Sequence, residues 1–209
     1  MLSPLERGRG VFFSMMRKPT PANTQFCAPL QGGDFLLMYN KMEKKILILN
    51  QHQIAQKIDR IAYQLLEDNV DEKEIIIAGI LPKGNYIAER LKAILDKIAP
   101  FKSTLLTIEL DKQSTSLRAK IDTDIQVCNN KVVIIVDDVL NSGKTLAYGF
   151  GVFLDVPLKK LRTVVLIDRN HKSFPVTTDF AGVALSTVLK EHVDVVLNEE
   201  GKEDAVYLR

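Results

Sequence analysis

Short apolar runs alternate with longer amphipathic segments along most of this chain. Val132–Val136 is an unbroken run of valine and isoleucine, the pattern of a strand buried on both faces of a mainly parallel sheet. Further apolar runs predict strands at Ile46–Leu49, Glu74–Ile80, Phe101–Leu110, Leu161–Asp168, Val193–Leu197 and Ala205–Leu208. Strands that alternate with helices predict an α/β fold, with a mainly parallel twisted sheet flanked by helices.

Three segments between the predicted strands place apolar residues at helical spacing. Asn50 and Gln53 form a capping-box pattern at the start of the first helix. Asn141 or Ser142 can cap the third helix, which follows the central strand. The apolar faces of the three predicted helices lie at Ile54–Leu66, Ile87–Ile98 and Leu146–Phe153.

Two aspartates, Asp137 and Asp138, close the central strand and precede a small polar turn at Asn141–Gly143. The carboxyl ends of parallel strands meet at the edge where open α/β folds bind ligands. Carboxylates there can accept hydrogen bonds from vicinal hydroxyls and can hold a divalent cation through water. The exposed amides at the start of the next helix suit a phosphate. A diol beside a phosphate indicates ribose 5-phosphate.

Two other interpretations apply to the same residues. Adjacent aspartates alone are typical of an ordinary strand end. Here, however, the apolar run, the acids, the turn and the helix start follow one another along the chain without a gap. A Walker A loop ending in Gly143-Lys144-Thr145 would need its first glycine at position 138, where this chain has Asp138. The sequence therefore favours the sugar-phosphate site.

A second turn, Leu81–Asn85, joins a predicted strand to a predicted helix. Gly84 allows a ligand to approach the backbone closely, and Lys83 adds a positive charge at the helix start. These features suit pyrophosphate. In isolation, the same turn would be an ordinary strand-to-helix connection.

The string from Val132 to Thr145 resembles the 5-phosphoribosyl-1-pyrophosphate (PRPP) motif of type I phosphoribosyltransferases, and Leu81–Asn85 is similar to their pyrophosphate loop. The segment Asp168–Gly182, with Asp-Arg-x-His-Lys-x-x-Pro followed by Asp-Phe-x-Gly, narrows the resemblance. It is similar to the hood of the bifunctional pyrimidine operon attenuator and uracil phosphoribosyltransferase family. The resemblance extends from about Ile46 to the carboxyl terminus and implies the type I fold with a small hood.

The resemblance implies transfer of ribose 5-phosphate from PRPP to a nucleobase, with release of pyrophosphate. Asp137 and Asp138 would hold the ribose hydroxyls and, through water, Mg²⁺, while Lys83 would neutralise the leaving group. The other implied contacts are Pro82, Lys83 and Gly84 with pyrophosphate, Asn141, Ser142, Gly143, Lys144 and Thr145 with the 5′-phosphate, and Asp168, Arg169 and His171 with the base or its hood.

Asn141 bears on the choice of base. Phosphoribosyltransferases for 6-oxopurines usually carry an aspartate here, and an amide cannot accept the proton of the base. Uracil depends less on such a group, because its reacting nitrogen is fairly acidic. The sequence therefore predicts a uracil phosphoribosyltransferase that forms UMP and pyrophosphate.

The alternative is a UMP-sensing regulator that binds the mRNA of pyrimidine genes. Lys57 with Arg60, and Arg90 with Lys97, place basic pairs on two predicted helix faces. Against RNA binding, residues 1–41 carry a net charge of +3 and the whole chain carries +2, so the body carries −1, whereas cations supply much of RNA affinity. The resemblance also implies a homodimer or homotetramer.

Two features depart from the family pattern. The Thr-Arg-Gly of its pyrophosphate loop is Pro82-Lys83-Gly84 here, and the polar segment Asp111–Asn130 is shorter than expected and lacks a Tyr-Arg-Asp stretch. This segment suits a lid that closes over the substrate. It equally suits a surface hairpin.

Proline and glycine interrupt every short apolar run in residues 1–41, so we expect a poorly ordered extension ahead of a phosphoribosyltransferase domain at 42–209. The 209 residues are 46% hydrophobic and 26% charged, which suits one globular domain. Cys27 and Cys128 are far apart and typical of free thiols in the reducing cytoplasm. No apolar stretch approaches the roughly 20 residues that cross a bilayer, so no membrane association is expected.

Overall fold

The computed structural model describes residues 45–111, 118–169, 172–186 and 191–209. Within these ranges the chain forms three α-helices, α1 Gln51–Asp68, α2 Lys83–Ile98 and α3 Lys144–Gly151. It also forms the strands β1 Ile46–Leu49, β2 Glu74–Ile80, β3 Lys102–Asp111, β4 Arg118–Ile121, β5 Val132–Leu140, β6 Lys160–Arg169, β7 Phe180–Leu185, β8 Val193–Val196 and β9 Ala205–Leu208, with a short 3₁₀ turn at Ile125–Cys128.

Six strands form the central sheet, in the order β4-β3-β2-β5-β6-β7. All neighbours are parallel except β3 and β4, which are antiparallel. This arrangement confirms the predicted α/β class and the mainly parallel sheet. The strand that carries the two aspartates, β5, lies between β2 and β6, so its carboxyl end is flanked by the ends of both neighbours.

The central strand β5 is buried on both faces, as its sequence predicts. Val132, Ile134 and Val136 pack into the core beneath α1 and α2, whereas Val133 and Ile135 pack into a second core beneath α3. All five have no exposed surface. The strand runs on through Leu140, so the aspartates lie within it, whereas the sequence suggested that they close it.

One helix begins with the cap that the sequence predicts, and another does not. At α1 the capping box is confirmed, because the Asn50 side chain accepts from the Gln53 amide and the Gln53 side chain accepts from the Asn50 amide. The predicted cap of α3 at Asn141 or Ser142 is wrong: the cap is Gly143, and the helix ends at Gly151.

A second, three-stranded antiparallel sheet has the order β1-β9-β8, and we call it the hood sheet. The sequence placed the hood at Asp168–Gly182, and the structure corrects this prediction. Asp168 is in β6, and Gly182 is in β7, the edge strand of the central sheet. The hood sheet instead joins the first described strand to the last two, with Ile46 opposite Leu208.

The polar segment after β3 returns as the antiparallel strand β4, which confirms the hairpin for its two arms. The tip of the hairpin, residues 112–117, lies outside the described residues, and so does the predicted extension at 1–41. A lid function for the hairpin stays a prediction. In the described part of the chain, no helix has both the length and the apolar character to span a membrane.

An ion cluster lies at the opposite edge of the sheet from the aspartates. The Asp68 carboxylate is 2.9 Å from the Lys160 ammonium and 3.2 Å from Nε of Arg162. Burial would raise the pKa of Asp68, but hydrogen bonds from Arg162 and Lys160 outweigh it and lower that pKa below its ordinary value. The charged form of Asp68 therefore stabilises the folded protein.

Replacing Asp68 by asparagine is expected to lower the free energy of unfolding by about 1–2 kcal/mol at pH 7. Because the folded-state pKa is lowered, the stabilisation is complete above the unfolded-state pKa of about 3.9 and is lost as the pH falls through the folded-state value. Urea denaturation at pH 7 and at pH 3 measures this difference. Asp71→Asn, an exposed site in the next loop, is the control; equal effects of the two substitutions would contradict the expectation.

Candidate active site

The turn Asn141–Gly143 is held in place by the segment that follows β6. The Ser142 carbonyl accepts hydrogen bonds from the amides of Ser173 and Phe174, both at 2.9 Å. Gly143 has φ of 82°, a left-handed conformation that favours glycine. The Ser142 hydroxyl accepts weakly from the Lys144 amide at 3.3 Å. Ser173 and Phe174, which belong to the segment predicted as the hood, thus hold the turn in place through hydrogen bonds to its backbone.

Backbone amides line a small cavity at this turn. The amides of Ser142, Gly143 and Thr145 have no acceptor within the described part of the chain, as is usual at the start of a helix. The cavity has a volume of about 110 Å³, and Asp137 contributes to its wall beside the turn. Free donors around a space of this size suit a phosphate group.

Lys144 is at the first position of α3 but is exposed to solvent. Its ammonium lies 6.0 Å from the centroid of the Tyr148 ring, one helical turn further on. The predicted phosphate contact through this side chain therefore stays a prediction, whereas Ser142, Gly143 and Thr145 line the cavity.

Each aspartate of the central strand is anchored by the next backbone amide. Asp137, which is 6% exposed, accepts from the amide of Asp138, and Asp138 accepts from the amide of Val139, both at 2.9 Å. No lysine or arginine of the described residues pairs with Asp138. The carboxylate of Asp138 therefore retains an oxygen that can bind a ligand.

The two aspartates fit a magnesium ion held mainly by other oxygens. Among the described residues, no group of three or more His, Cys, Asp or Glu side chains could hold a metal directly. Mg²⁺ commonly takes one or two carboxylates and completes its shell with water and substrate phosphates. The donor set at Asp137 and Asp138 is of this kind.

The second turn is tighter than the sequence suggested, because α2 begins at Lys83. The Leu81–Pro82 peptide bond is cis. A Cβ added at Gly84 would lie 2.4 Å from the Val136 carbonyl oxygen. The glycine is therefore required for α2 to contact β5, and its predicted role in letting a ligand approach the backbone stays a prediction.

Lys83 contacts the hood sheet in this structure. Its ammonium donates a hydrogen bond to the carbonyl of Val195 in β8. The amides of Lys83, Gly84 and Asn85 have no acceptor among the described residues. The predicted pyrophosphate turn thus offers backbone donors, while the side chain of Lys83 is engaged with the hood sheet.

The predicted base contacts at the end of β6 differ in their surroundings. The Asp168 carboxylate is 3.3 Å from the Lys172 ammonium, and its other oxygen is buried without a hydrogen-bond partner in the described residues. Arg169 is only 3% exposed. It donates to the Asn141 side-chain oxygen at 3.0 Å and to the Glu191 carbonyl at 2.7 Å. His171 lies outside the described residues.

The contact with Arg169 fixes the orientation of the Asn141 amide. A guanidinium can only donate hydrogen bonds, so the oxygen of Asn141 must face Arg169 and its NH₂ group must point away. Asn141 therefore presents a hydrogen-bond donor to the site. The sequence marked both residues as ligand contacts but gave no sign of this pairing, because they are far apart along the chain.

Size alone does not identify the site. A larger cavity of about 660 Å³ lies at the hood sheet and contains none of the predicted site residues. Its walls include paired charges such as Asp194 with Arg209. The unpaired amides at the smaller cavity are the stronger indication of an anion site.

The family described as "Phosphoribosyl transferase domain" matches residues 47–200. The chain belongs to the phosphoribosyltransferase family. Its curated relatives include the bifunctional protein PyrR of Macrococcus caseolyticus and that of Fusobacterium nucleatum. Each is 34% identical over 178 residues, which covers 80% of this chain and 100% of the relative. The resemblance to the bifunctional attenuator family is thereby confirmed, and this phosphoribosyltransferase is a pentosyltransferase.

Solved structures confirm the type I fold. A hypoxanthine-guanine phosphoribosyltransferase from Bacillus anthracis superposes with a TM-score of 0.64 and 20% identity over 78% of this chain and 96% of that chain. A hypoxanthine phosphoribosyltransferase from Trypanosoma cruzi, complexed with IMP, superposes with a TM-score of 0.65 and 19% identity. The superposition covers 81% of this chain and 92% of that chain. At these identities the likeness concerns the fold and not the choice of base.

Proposed function

We propose that this phosphoribosyltransferase transfers ribose 5-phosphate from PRPP to uracil, forming UMP and pyrophosphate in the cytoplasm. The main support for the PRPP site is the small cavity at the turn after β5, where free amides of Ser142, Gly143 and Thr145 meet Asp137. An anion site beside a buried carboxylate matches a substrate that carries a phosphate next to a diol.

The two aspartates act on the ribose. During the reaction the bond from C1 of the ribose to pyrophosphate breaks, a bond from C1 to a nitrogen of the base forms, and the base loses its proton. Positive charge grows on the ribose, so carboxylates at the hydroxyls stabilise the transition state. Asp138 suits this task because no described cation neutralises it. Asp137 and Asp138 would hold Mg²⁺ through water, and the ion would supply positive charge for the leaving pyrophosphate.

The start of α2 receives the pyrophosphate. The amides of Lys83, Gly84 and Asn85 have no acceptor among the described residues, and the helix N-terminus favours an anion. The Lys83 ammonium already contacts the carbonyl of Val195, so it neutralises the leaving group only after releasing the hood sheet.

Asn141 supports a pyrimidine as the acceptor. Its oxygen is bonded to Arg169, so the side chain offers only donors to the site. A 6-oxopurine would gain no proton acceptor at this position. Uracil has carbonyl oxygens that accept from such a donor, and its acidic nitrogen needs less help in losing its proton.

A panel of bases tests this proposal. With PRPP and Mg²⁺, uracil is expected to give pyrophosphate release at a rate at least about tenfold above hypoxanthine, guanine and xanthine, a difference that one unpaired polar contact can produce. Release should be measured together with formation of the labelled nucleotide. Faster release with a purine would contradict uracil, and no release with any base would contradict catalysis from PRPP.

The alternative is a UMP-sensing regulator that binds mRNA, in keeping with relatives described as bifunctional. Two of the four cations that favoured RNA are engaged within the protein. Arg60 donates to the carbonyls of Ala181 and Gly182 at 2.7 Å, and Arg90 pairs with Asp204 at 2.5 Å. The guanidinium groups of Arg60 and Arg90 are thus less free to contact RNA phosphates. A salt-dependent RNA shift assay, with and without UMP, distinguishes this function from the enzyme.

Homo-oligomerisation to a dimer or tetramer remains part of the proposal, on the strength of the family resemblance. The free thiol of Cys128 agrees with a reducing compartment. Cys128 is buried without a disulfide, and burial raises the pKa of its thiol, which keeps it in the unreactive protonated form.

A further inference from the structure

Three cations of the main body contact the hood sheet or the residue that leads into it. Lys83 donates to the carbonyl of Val195, Arg90 pairs with Asp204, and Arg169 donates to the carbonyl of Glu191. Lys83 and Arg169 lie next to the two turns that would bind phosphates. The hood sheet is therefore attached to the body at the places where the substrate would bind.

Arg169 differs from the other two cations because it bonds both sides at once. One guanidinium nitrogen donates to Asn141 in the turn Asn141–Gly143, which we call the phosphate turn, and the other donates to the carbonyl of Glu191. The side chain is 3% exposed, so solvent cannot replace either bond at low cost. A planar guanidinium holds two acceptors in a fixed geometry, which a lysine cannot reproduce.

The guanidinium of Arg169 connects the Asn141 side chain to the residue that leads into the hood sheet. Within the described residues, the Asn141 side chain makes one hydrogen bond, the one with Arg169. We propose that Arg169 is a positioning residue that couples the phosphate turn to the hood sheet through Asn141. A 5′-phosphate that restricts the motion of the turn therefore also restricts the motion of the hood sheet. A well-ordered hood sheet, in return, holds the turn in the conformation that binds the phosphate.

Hydrogen exchange of the free protein tests the connection without any substrate. Asn141→Ala and Arg169→Met are each expected to increase amide exchange at residues 191–196 at least about threefold, a modest part of the effect of losing a buried hydrogen bond. Asn141 is exposed, so its variant should fold even if Arg169→Met does not. Unchanged exchange at 191–196 in Asn141→Ala overturns the proposal.

Matched controls lie at the opposite edge of the same sheet. Asn129→Ala removes an exposed asparagine before β5, and Arg162→Met removes a guanidinium from β6 that pairs with Asp68. Both should leave exchange at 191–196 unchanged. An equal increase in the controls would show a general loss of stability and would also overturn the proposal.

Kinetics give a second measurement, which rests on the proposed function. At saturating uracil, each variant should raise the KM for PRPP about five- to tenfold, since one charged hydrogen bond is lost. At saturating uracil, the double variant should raise the KM for PRPP no further than Arg169→Met does, because the effect of both substitutions on PRPP binding runs through one connection. Additive losses would mean that Asn141 acts on the substrate alone. If no base reacts, the proposed function fails, and the exchange data still decide the coupling.

Discussion

Replacing Asp138 by asparagine is expected to lower kcat/KM for PRPP about a hundredfold while the protein stays folded. Loss of one well-placed charge stabiliser costs about 3 kcal/mol in the transition state. The amide oxygen can still accept from Val139, as the carboxylate does at 2.9 Å, so the strand should keep its geometry. Initial rates of pyrophosphate release and thermal unfolding measure the two parts of this prediction.

Asp155→Asn is the matched control for this substitution, because Asp155 is exposed in the segment after α3 and belongs to neither turn. It removes the same charge and should leave kcat/KM within about twofold, as is usual for surface changes. Normal activity in Asp138→Asn would refute the role of this carboxylate. An equal loss in the control would point to net charge instead.

Replacing Gly84 by alanine should both destabilise the protein and inactivate it. The new Cβ would lie 2.4 Å from the Val136 carbonyl oxygen and 2.9 Å from Cα of Asp137, so α2 and β5 must separate. Overpacking of this kind typically costs about 1–3 kcal/mol. Because the displaced strand carries Asp137, we expect kcat/KM to fall at least about tenfold. Urea denaturation and initial rates measure the two effects.

Gly151→Ala provides the comparison, since Gly151 also lies in a helix but a Cβ there would meet nothing within 4 Å. It should be neutral or slightly stabilising, because alanine favours the helix. If Gly84→Ala behaved like this control, the close contact between α2 and β5 would not exist in solution.

The central sheet was predictable because its signal is local. Five consecutive apolar residues, Val132–Val136, can only be buried on both faces, and the structure buries them in two separate cores. The capping box at Asn50 and Gln53 is equally local and is confirmed. The order of acids, turn and helix start likewise places the predicted ribose and phosphate contacts in one region, at the carboxyl end of β5.

Features that depend on distant residues were not predictable. The strand β7 was missed because Phe180–Leu185 is short and contains Gly182, where a Cβ would lie 2.5 Å from the Leu166 carbonyl oxygen. The composition of the hood sheet depends on pairing Ile46 with Leu208, which no local pattern reveals. Such pairings are set by the whole fold and not by propensity.

The same limit explains Arg169. An arginine after an apolar strand, close to a predicted ligand edge, suggests a contact with substrate. The structure buries it and joins it to Asn141 and to the carbonyl of Glu191. Neither partner is near Arg169 in sequence, so the supporting role could be seen only in three dimensions.

The pairing of β1 with β9 also has a consequence for how the protein is made. The ribosome releases β1 first among the described strands, but its partner emerges only after β2 to β8. The parallel strands can associate while translation continues, because their partners are already available. The small sheet must wait for β9, so the nascent chain can complete the carboxyl edge of the central sheet before the hood sheet forms beside it.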